Sequence, residues 1–388
     1  MSRISQAHSV EDLRRRARIR LPRGVFDFFD GGAEDENTLA ANRRAFENVR
    51  LLPHVLRNVA DPDLSAQIIG MRAAAPFVVA PMGAAGIGWP GADVAIARAA
   101  SRLGVPYVLS TAATASIERI ASEAGGRLWF QLYVLRDLAF TEALMARAAA
   151  AGYEALVVTL DMAVGGKRER DIRNGFTVPL APRWRIAADF MTHPMWCLRM
   201  LRHGQPSFEN LQGFAGSSHA GTSIAARAAQ NLDPSFDWGG LQRIRDKWPG
   251  RLLVKGVCRA DDADRLATLG LDGLWVSNHG GRQLDGSVAS AEALPDVVHA
   301  VRDRMPVLID SGIRRGVDVV KALALGAQAV GIGRAALYGV AAAGQAGAER
   351  ALMILSEELR RAMQLCGTPT IGDIDAQLLQ VQPARQRS

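Results

Sequence analysis

Cysteine is almost missing: the 388 residues hold three, Cys197, Cys258 and Cys366, an odd number with no metal-ligand spacing among them. A disulfide framework and a zinc ribbon are thereby excluded, and a reducing compartment, the cytoplasm, is the expectation. Aromatic residues are scarce at 6%, and they do not interleave with the arginines. With no recognition motif either, nucleic acid is not an expected partner. Lysine and arginine outnumber the acids 46 to 39, a formal charge of +7, but they are scattered rather than blocked. That surplus suits an anionic small substrate or an anionic lipid surface. No secretory signal is visible where Arg14, Arg15, Arg16, Arg18 and Arg20 follow a helical pattern without an apolar core. One uncharged run, residues 73–92, is long enough to span a bilayer, but Pro76, Pro81, Pro90 and four glycines break it. It suits a buried strand entering a glycine-rich loop better.

Short apolar runs are what the chain has in quantity. They occur at 77–80, 107–109, 128–132 and 156–160, then after a gap at 252–254, 274–276, 307–309 and 329–332. Most intervals carry alanine- and leucine-rich helical patterns, such as 93–103, 137–151, 262–269 and 317–325. Eight strands alternating with helices predict an α/β chain forming a single (β/α)8 TIM barrel. Its expected parts are a helical N-terminal cover over 1–70, the barrel over 71–376, one insertion over 162–250 after strand 4, and a flexible polar tail over 377–388. Trp129 is expected to be a core aromatic facing the side of its strand opposite Tyr133.

In such a barrel all eight strand C-termini open on one face, so the polar residues that follow the runs converge there. In order they are Gly83, Ser110, Gln131 with Tyr133, Thr159 with Asp161, Lys255, His279 with Arg282, Asp310 with Arg314, and Gly333 with Arg334. The decapeptide SNHGGRQLDG (277–286) sets His279, a proton acceptor, beside Arg282, whose guanidinium can grip a carboxylate through two parallel bonds. Gly280 and Gly281 give the intervening turn the freedom to aim both side chains at one cavity. Taken alone, this could be a glycine turn with two surface polar residues. After the last two strands, DSGIRRG (310–316) and GIGR (331–334) combine backbone donors, helix starts and arginines, the usual place for phosphate in barrel enzymes. A phosphate-bearing cofactor is implied.

Several longer motifs agree: LWFQLYV (128–134), TLDMAVGGKRERD (159–171), LLVKG (252–256), SNHGGRQLDG and VKALALGA (320–327). Over residues 5–375 the chain resembles the FMN-dependent L-2-hydroxy acid dehydrogenases and oxidases, most of all their membrane-associated bacterial lactate and mandelate members. The resemblance implies FMN as cofactor and oxidation of an (S)-2-hydroxy acid to the 2-oxo acid. By it, His279 is the base, Asp161 orients it, Arg168 and Arg282 bind the substrate carboxylate, and Tyr133 hydrogen-bonds the substrate. Lys255 sits by the flavin ring, with Gln131, Thr159 and Ser110 at the ring edge. Pro81, Met82, Gly83 and Ser277 join that cofactor set, while Asp310, Ser311, Gly312, Arg314, Gly333 and Arg334 take the ribityl chain and phosphate. A homotetramer is implied too, and no metal.

Departures from the pattern bear on substrate and acceptor. Phe28, in DFFDGG, stands where many members carry a tyrosine that contacts the carboxylate, and Ala112 stands where oxidases often place tryptophan. Both favour a larger or aromatic 2-hydroxy acid, with mandelate-like and lactate-like substrates open. Gly83 stands where oxidases tend to have alanine, which points to quinone or another non-oxygen acceptor. Residues 182–204 mix Trp184, Phe190, Met191, Trp196, Leu198 and Leu201 with Arg183, Arg185, Arg199 and Arg202. That suits a segment lying on the anionic inner face of the cell membrane, or equally a lid or subunit contact. Competing functions are an oxygen-using oxidase, a flavin isomerase or lyase, and a non-catalytic FMN-binding scaffold docked on a membrane.

Overall fold

In a computed structural model of the chain, residues 3–175, 184–212 and 231–380 are described. The eight apolar runs become the parallel strands β3 (Phe77–Val79), β4 (Tyr107–Ser110), β5 (Leu128–Leu132), β6 (Ala155–Thr159), β7 (Arg251–Val257), β8 (Gly273–Val276), β9 (Val307–Ile309) and β10 (Ala329–Ile332). They close in sequence order, with β10 hydrogen-bonded to both β9 and β3. Seven of them are buried throughout and β7 along most of its length, because helices cover the outside and side chains fill the inside. Side-chain caps fix where several helices begin: Ser116 accepts from Arg119 N–H, Asp137 from Phe140 N–H and Asp237 from Gly240 N–H.

The barrel interior is a separate apolar cluster that includes Val78, Val108, Trp129, Val157, Leu253 and Trp275. Trp129 is therefore core, as expected, but it points into the barrel on the same side as Gln131, two residues on. Strand alternation requires that, and the expected opposite facing is corrected. Gly331 has no side chain because a Cβ there would lie 2.3 Å from the Trp275 ring. The bottom is stoppered by an antiparallel hairpin of β1 (Ala66–Ile68) and β2 (Met71–Ala73), whose Ile68, Ile69 and Ala73 join the interior cluster. The N-terminal cover is thus not wholly helical.

Helices α1 (Val10–Arg20), α2 (Arg23–Asp30) and α3 (Asn37–Asn48) form the rest of that cover. Asp30 pins it: its carboxylate takes Arg14 at 2.6 and 2.9 Å, the Tyr338 hydroxyl at 2.7 Å and Arg170 at 3.4 Å. Burial alone would raise its pKa, but these donors hold it at about 2. Within the expected insertion, Trp238–Lys247 is instead the barrel helix preceding β7, burying Leu241 and Ile244 in the outer core. The tail is corrected too: Leu378 is buried, Leu379 bridges Leu51, and Gln380 N–H donates to Arg50. Residues 381–388, like Arg183, lie outside the described residues.

Candidate active site

Every strand-end residue singled out from the sequence lies at the C-terminal mouth, where two cavities meet. The first, about 860 Å³, is lined by Pro81, Met82 and Gly83 from the β3 loop, Thr159, Lys255, and the 310–314 and 331–334 segments. Lys255 is buried, with its ammonium 3.0 Å from Asp310 and donating to Ser277 Oγ at 2.6 Å. Burial alone would lower its pKa, but Asp310 and Asp161 raise it above the ordinary value, so it is a fixed cation. Ser110 donates its hydroxyl to Gln131 Oε1 at 3.0 Å, which leaves Gln131 Nε2 buried with no partner. Thr159 Oγ1 is likewise buried and unpartnered. Orphaned polar atoms beside a fixed cation are what a flavin ring edge, with its carbonyls and ring N–H, would satisfy. Ser110, expected at the same ring edge, is buried beside Gln131 and holds its amide oxygen.

At the far end, Gly333 leaves open space and Gly312 adopts φ +101°, which favours glycine. The Arg314 guanidinium donates to the Ile313 carbonyl at 2.8 Å. Arg334 behaves otherwise: it donates to the carbonyls of Phe29, Gly280 and Gly31 at 3.1, 2.9 and 2.8 Å. It ties the N-terminal cover to the histidine loop, and that structural work adds to any phosphate contact. Ser311, at φ +74°, accepts from Gly280 N–H at 3.0 Å and donates to Asp310 at 2.9 Å.

His279, Gly280 and Gly281 all have positive φ, at 59°, 67° and 72°. A left-handed histidine costs about 1–2 kcal/mol. Here Ser277 Oγ, accepting from His279 N–H at 3.1 Å, and Asn278 Oδ1, accepting from Gly281 N–H at 3.1 Å, hold the turn. The imidazole Nδ1 lies 3.0 Å from Asp161 Oδ1, and Nε2 lies 3.4 Å from the Tyr133 hydroxyl. Because an ionised carboxylate only accepts, Nδ1 carries a proton, and in the neutral ring Nε2 is then the acceptor. Asp161 is buried, which would raise its carboxyl, yet His279 and Lys255 hold it below the ordinary value. Gly256 makes the dyad possible: at φ +101°, a Cβ there would sit 2.6 Å from Asp161 Cβ and Cγ.

The second cavity, about 920 Å³, shares Phe28, Gly83, Tyr133, His279 and Arg282 with the first. Arg282 donates through Nη1 to the carbonyls of Phe28 and Gly31 at 2.8 and 2.9 Å. Among the described residues it forms no ion pair, and burial followed by Arg168 and Arg334 pushes its pKa down. Arginine does not give up its proton in proteins, so this strain marks a place that calls for an anion. Arg168 lines the same cavity and pairs with Asp171 at 3.3 Å. Both guanidiniums lie over the Phe28 ring, at 5.2 and 5.3 Å. The Tyr133 phenol is pushed well up by burial and Asp161, so it stays a neutral donor.

The remaining walls were not foreseen. Leu135, Met162, Phe208, Leu211 and Leu232 give this cavity a largely apolar lining beside Ala112. Their signal was faint, since Phe208 and Leu211 sit in a stretch with no helical or strand period.

The family model described as FMN-dependent dehydrogenase matches residues 17–381. The chain is 44% identical over 374 residues to the (S)-mandelate dehydrogenase of Pseudomonas putida, covering 96% of this chain and 93% of that one. It is 42% identical over 372 residues to the L-lactate dehydrogenase of Xanthomonas campestris pv. campestris, covering 96% of each. Among solved structures, a monotopic membrane protein (S)-mandelate dehydrogenase superposes with a TM-score of 0.91 at 43% identity, covering 97% of this chain and all of that one. A mandelate oxidase superposes at 0.80 with 39% identity, over 96% and 98%. With the family model spanning nearly the whole chain and relatives above 40% identity end to end, this chain belongs to the FMN-dependent dehydrogenase family.

Proposed function

We propose that this protein oxidises an (S)-2-hydroxy acid, with a bulky or aromatic side chain preferred, to the 2-oxo acid. The observation that carries the reading is His279, its Nδ1 held by Asp161, at the junction of one cavity suited to a flavin and another holding two arginines. FMN, when bound, supplies the two-electron acceptor that amino-acid side chains lack. Lys255, Gln131, Thr159, Ser277 and the 81–83 loop would hold its ring system, and Asp310, Ser311, Gly312, Arg314, Gly333 and Arg334 its ribityl phosphate.

Arg282 and Arg168 bind the substrate carboxylate, and the Tyr133 hydroxyl donates a further hydrogen bond to the substrate. His279 Nε2 removes the substrate proton, and Asp161 stabilises the resulting imidazolium through Nδ1. The cationic Lys255 favours negative charge gathering beside it. Apolar walls around the substrate keep water from competing for the arginines.

Electrons pass on to a quinone in this reading, with oxygen reacting slowly. The Pro194–His203 helix supports a membrane setting: Met195, Leu198 and Leu201 are exposed on it beside Arg199 and Arg202, as is Met191 just before it. Phe190 and Trp196 pack against each other instead, with centroids 4.9 Å apart. Among the described residues no helix is long and apolar enough to cross a membrane; the proposed attachment is peripheral, on the inner face. A homotetramer completes the proposal. Anaerobic reduction of the bound flavin by L-mandelate and L-lactate, followed by mixing with quinone or oxygen, tests it. A flavin that neither acid bleaches overturns the reading.

A further inference from the structure

The substrate cavity has a wall that comes from outside the barrel. Phe208, 2% exposed, caps the start of a single 3-10 turn, Glu209–Leu211, and Leu211, 3% exposed, ends it; in such a turn positions three apart stack on one side. Both line the cavity next to Ala112. The two residues between them face another way and are fully engaged. Glu209 accepts from Ser116 N–H at 2.8 Å and from Arg119 at 3.0 Å. Asn210, with no exposed surface, accepts from Ile117 N–H at 2.9 Å and donates to the Ala115 carbonyl at 3.3 Å.

Those partners are not arbitrary. Ser116 and Ile117 open the Ile117–Ala124 helix, whose first N–H groups lack partners inside the helix. The insertion supplies acceptors for them, and so locks itself to the β4 loop, residues 111–117. That loop carries Ala112, whose Cβ and carbonyl would lie 3.3 Å from a Cβ at Gly83. The wall is therefore tied by polar contacts from two adjacent side chains to the loop that passes the flavin-side glycine.

We propose that Phe208 and Leu211 are the surface that selects the substrate's side chain, and that Asn210 and Glu209 are positioning residues that hold this surface in register with the barrel. The inference rests on the 2-hydroxy acid reading above and specifies its substrate class. A methyl substituent leaves this wall uncovered, whereas an aryl group covers it. Even one methylene in an apolar pocket is worth about 10–200-fold in discrimination.

The test is steady-state kinetics of FMN-loaded enzyme with L-mandelate and L-lactate, using a dye acceptor. Phe208→Ala is expected to raise KM for mandelate roughly tenfold or more, while kcat and the lactate constants move far less. Asn210→Ala should shift the preference the same way, and Asn210→Asp, which keeps the acceptor for Ile117 N–H, should recover part of it. If Phe208→Ala fails to fold, Phe208→Leu gives the same reading with a smaller shift. Wild-type enzyme that oxidises both acids, combined with an unchanged mandelate-to-lactate preference in the Phe208 and Asn210 variants, overturns the wall and leaves the reaction standing. Wild-type enzyme reduced by neither acid overturns the reaction and the wall together.

Discussion

A single methyl group at Gly256 should disable the base without touching it. Gly256 follows Lys255 at the end of β7, where the pairing with β8 shifts register and φ reaches +101°. In Gly256→Ala the new Cβ would meet Asp161 Cβ and Cγ at 2.6 Å and its backbone nitrogen at 2.7 Å. Restoring contact at 3.4 Å, the lower bound of ordinary packing, requires Asp161 to retreat by about 0.8 Å. The Asp161–His279 bond starts at 3.0 Å, so a retreat along it ends near 3.8 Å, past hydrogen-bonding range. Misplacement on this scale costs roughly a hundredfold in rate. The backbone strain and overpacking should also lower stability by about 2–5 kcal/mol. The assay is anaerobic stopped-flow reduction of the flavin by L-mandelate, with cofactor content and melting temperature measured on the same sample. A variant that keeps its FMN, melts like wild type and reduces at the wild-type rate would refute the argument that Gly256 makes room for Asp161.

Other consequences concern the base, the anion site, a buried acid and the surface. His279→Gln should slow flavin reduction by about 10²–10⁴-fold with FMN retained, as checked by stopped flow and absorbance. Arg282→Met should raise the mandelate dissociation constant by roughly 10- to 100-fold, the loss of a charge-assisted contact worth about 1.5–3 kcal/mol, measured by titration of the oxidised flavin. Asp93 is buried, which raises its pKa from 3.8 to about 6 although Thr114 donates to it through N–H and hydroxyl. Between those values the folded protein holds a proton that the unfolded chain has released, so stability falls as pH rises, by about 3 kcal/mol once the group is ionised. Asp93→Asn should therefore raise the melting temperature more at pH 7.5 than at pH 5, and an equal shift at both would count against the buried charge. Leu198→Asp with Leu201→Asp should abolish flotation with anionic liposomes while flavin reduction persists, and unchanged flotation would argue for a lid or subunit contact.

The barrel was legible because parallel strands covered on both faces must be short apolar runs, and because the fold brings their ends together. Lys255, Asp161, His279 and Arg282 could be picked out without knowing one contact. What the sequence does not display is whatever depends on meetings between distant segments. The β1–β2 hairpin has strands of three residues, too short to show alternation, and its place is set by the barrel floor it plugs. The Trp238–Lys247 helix was absorbed into an insertion whose polar composition masked the pattern of Leu241 and Ile244. Arg334 looks like a phosphate ligand in GIGR, but its carbonyl partners lie on segments some fifty and three hundred residues away. Phe208 and Leu211 carry no period, because one 3-10 turn is shorter than any window that could reveal it.

Phe28 shows why a departure from a family pattern has to be judged by its neighbours. Replacing a tyrosine by phenylalanine removes a donor from the carboxylate site, and on composition alone that looks like weakened binding. The structure places two like-charged guanidiniums over that ring, and an aromatic face carries a partial negative charge that attracts both. Each such contact contributes about 0.5–2 kcal/mol, comparable with the hydrogen bond forgone. The ring thus offsets part of the repulsion between Arg168 and Arg282 and helps keep them together when no anion is bound. On the proposed reading, recognition of the carboxylate would then rest on charge more than on a phenolic hydrogen bond. Phe28 also lines the same cavity as Phe208 and Leu211. On the proposed reading, one ring would thus serve both the charged and the apolar end of the substrate.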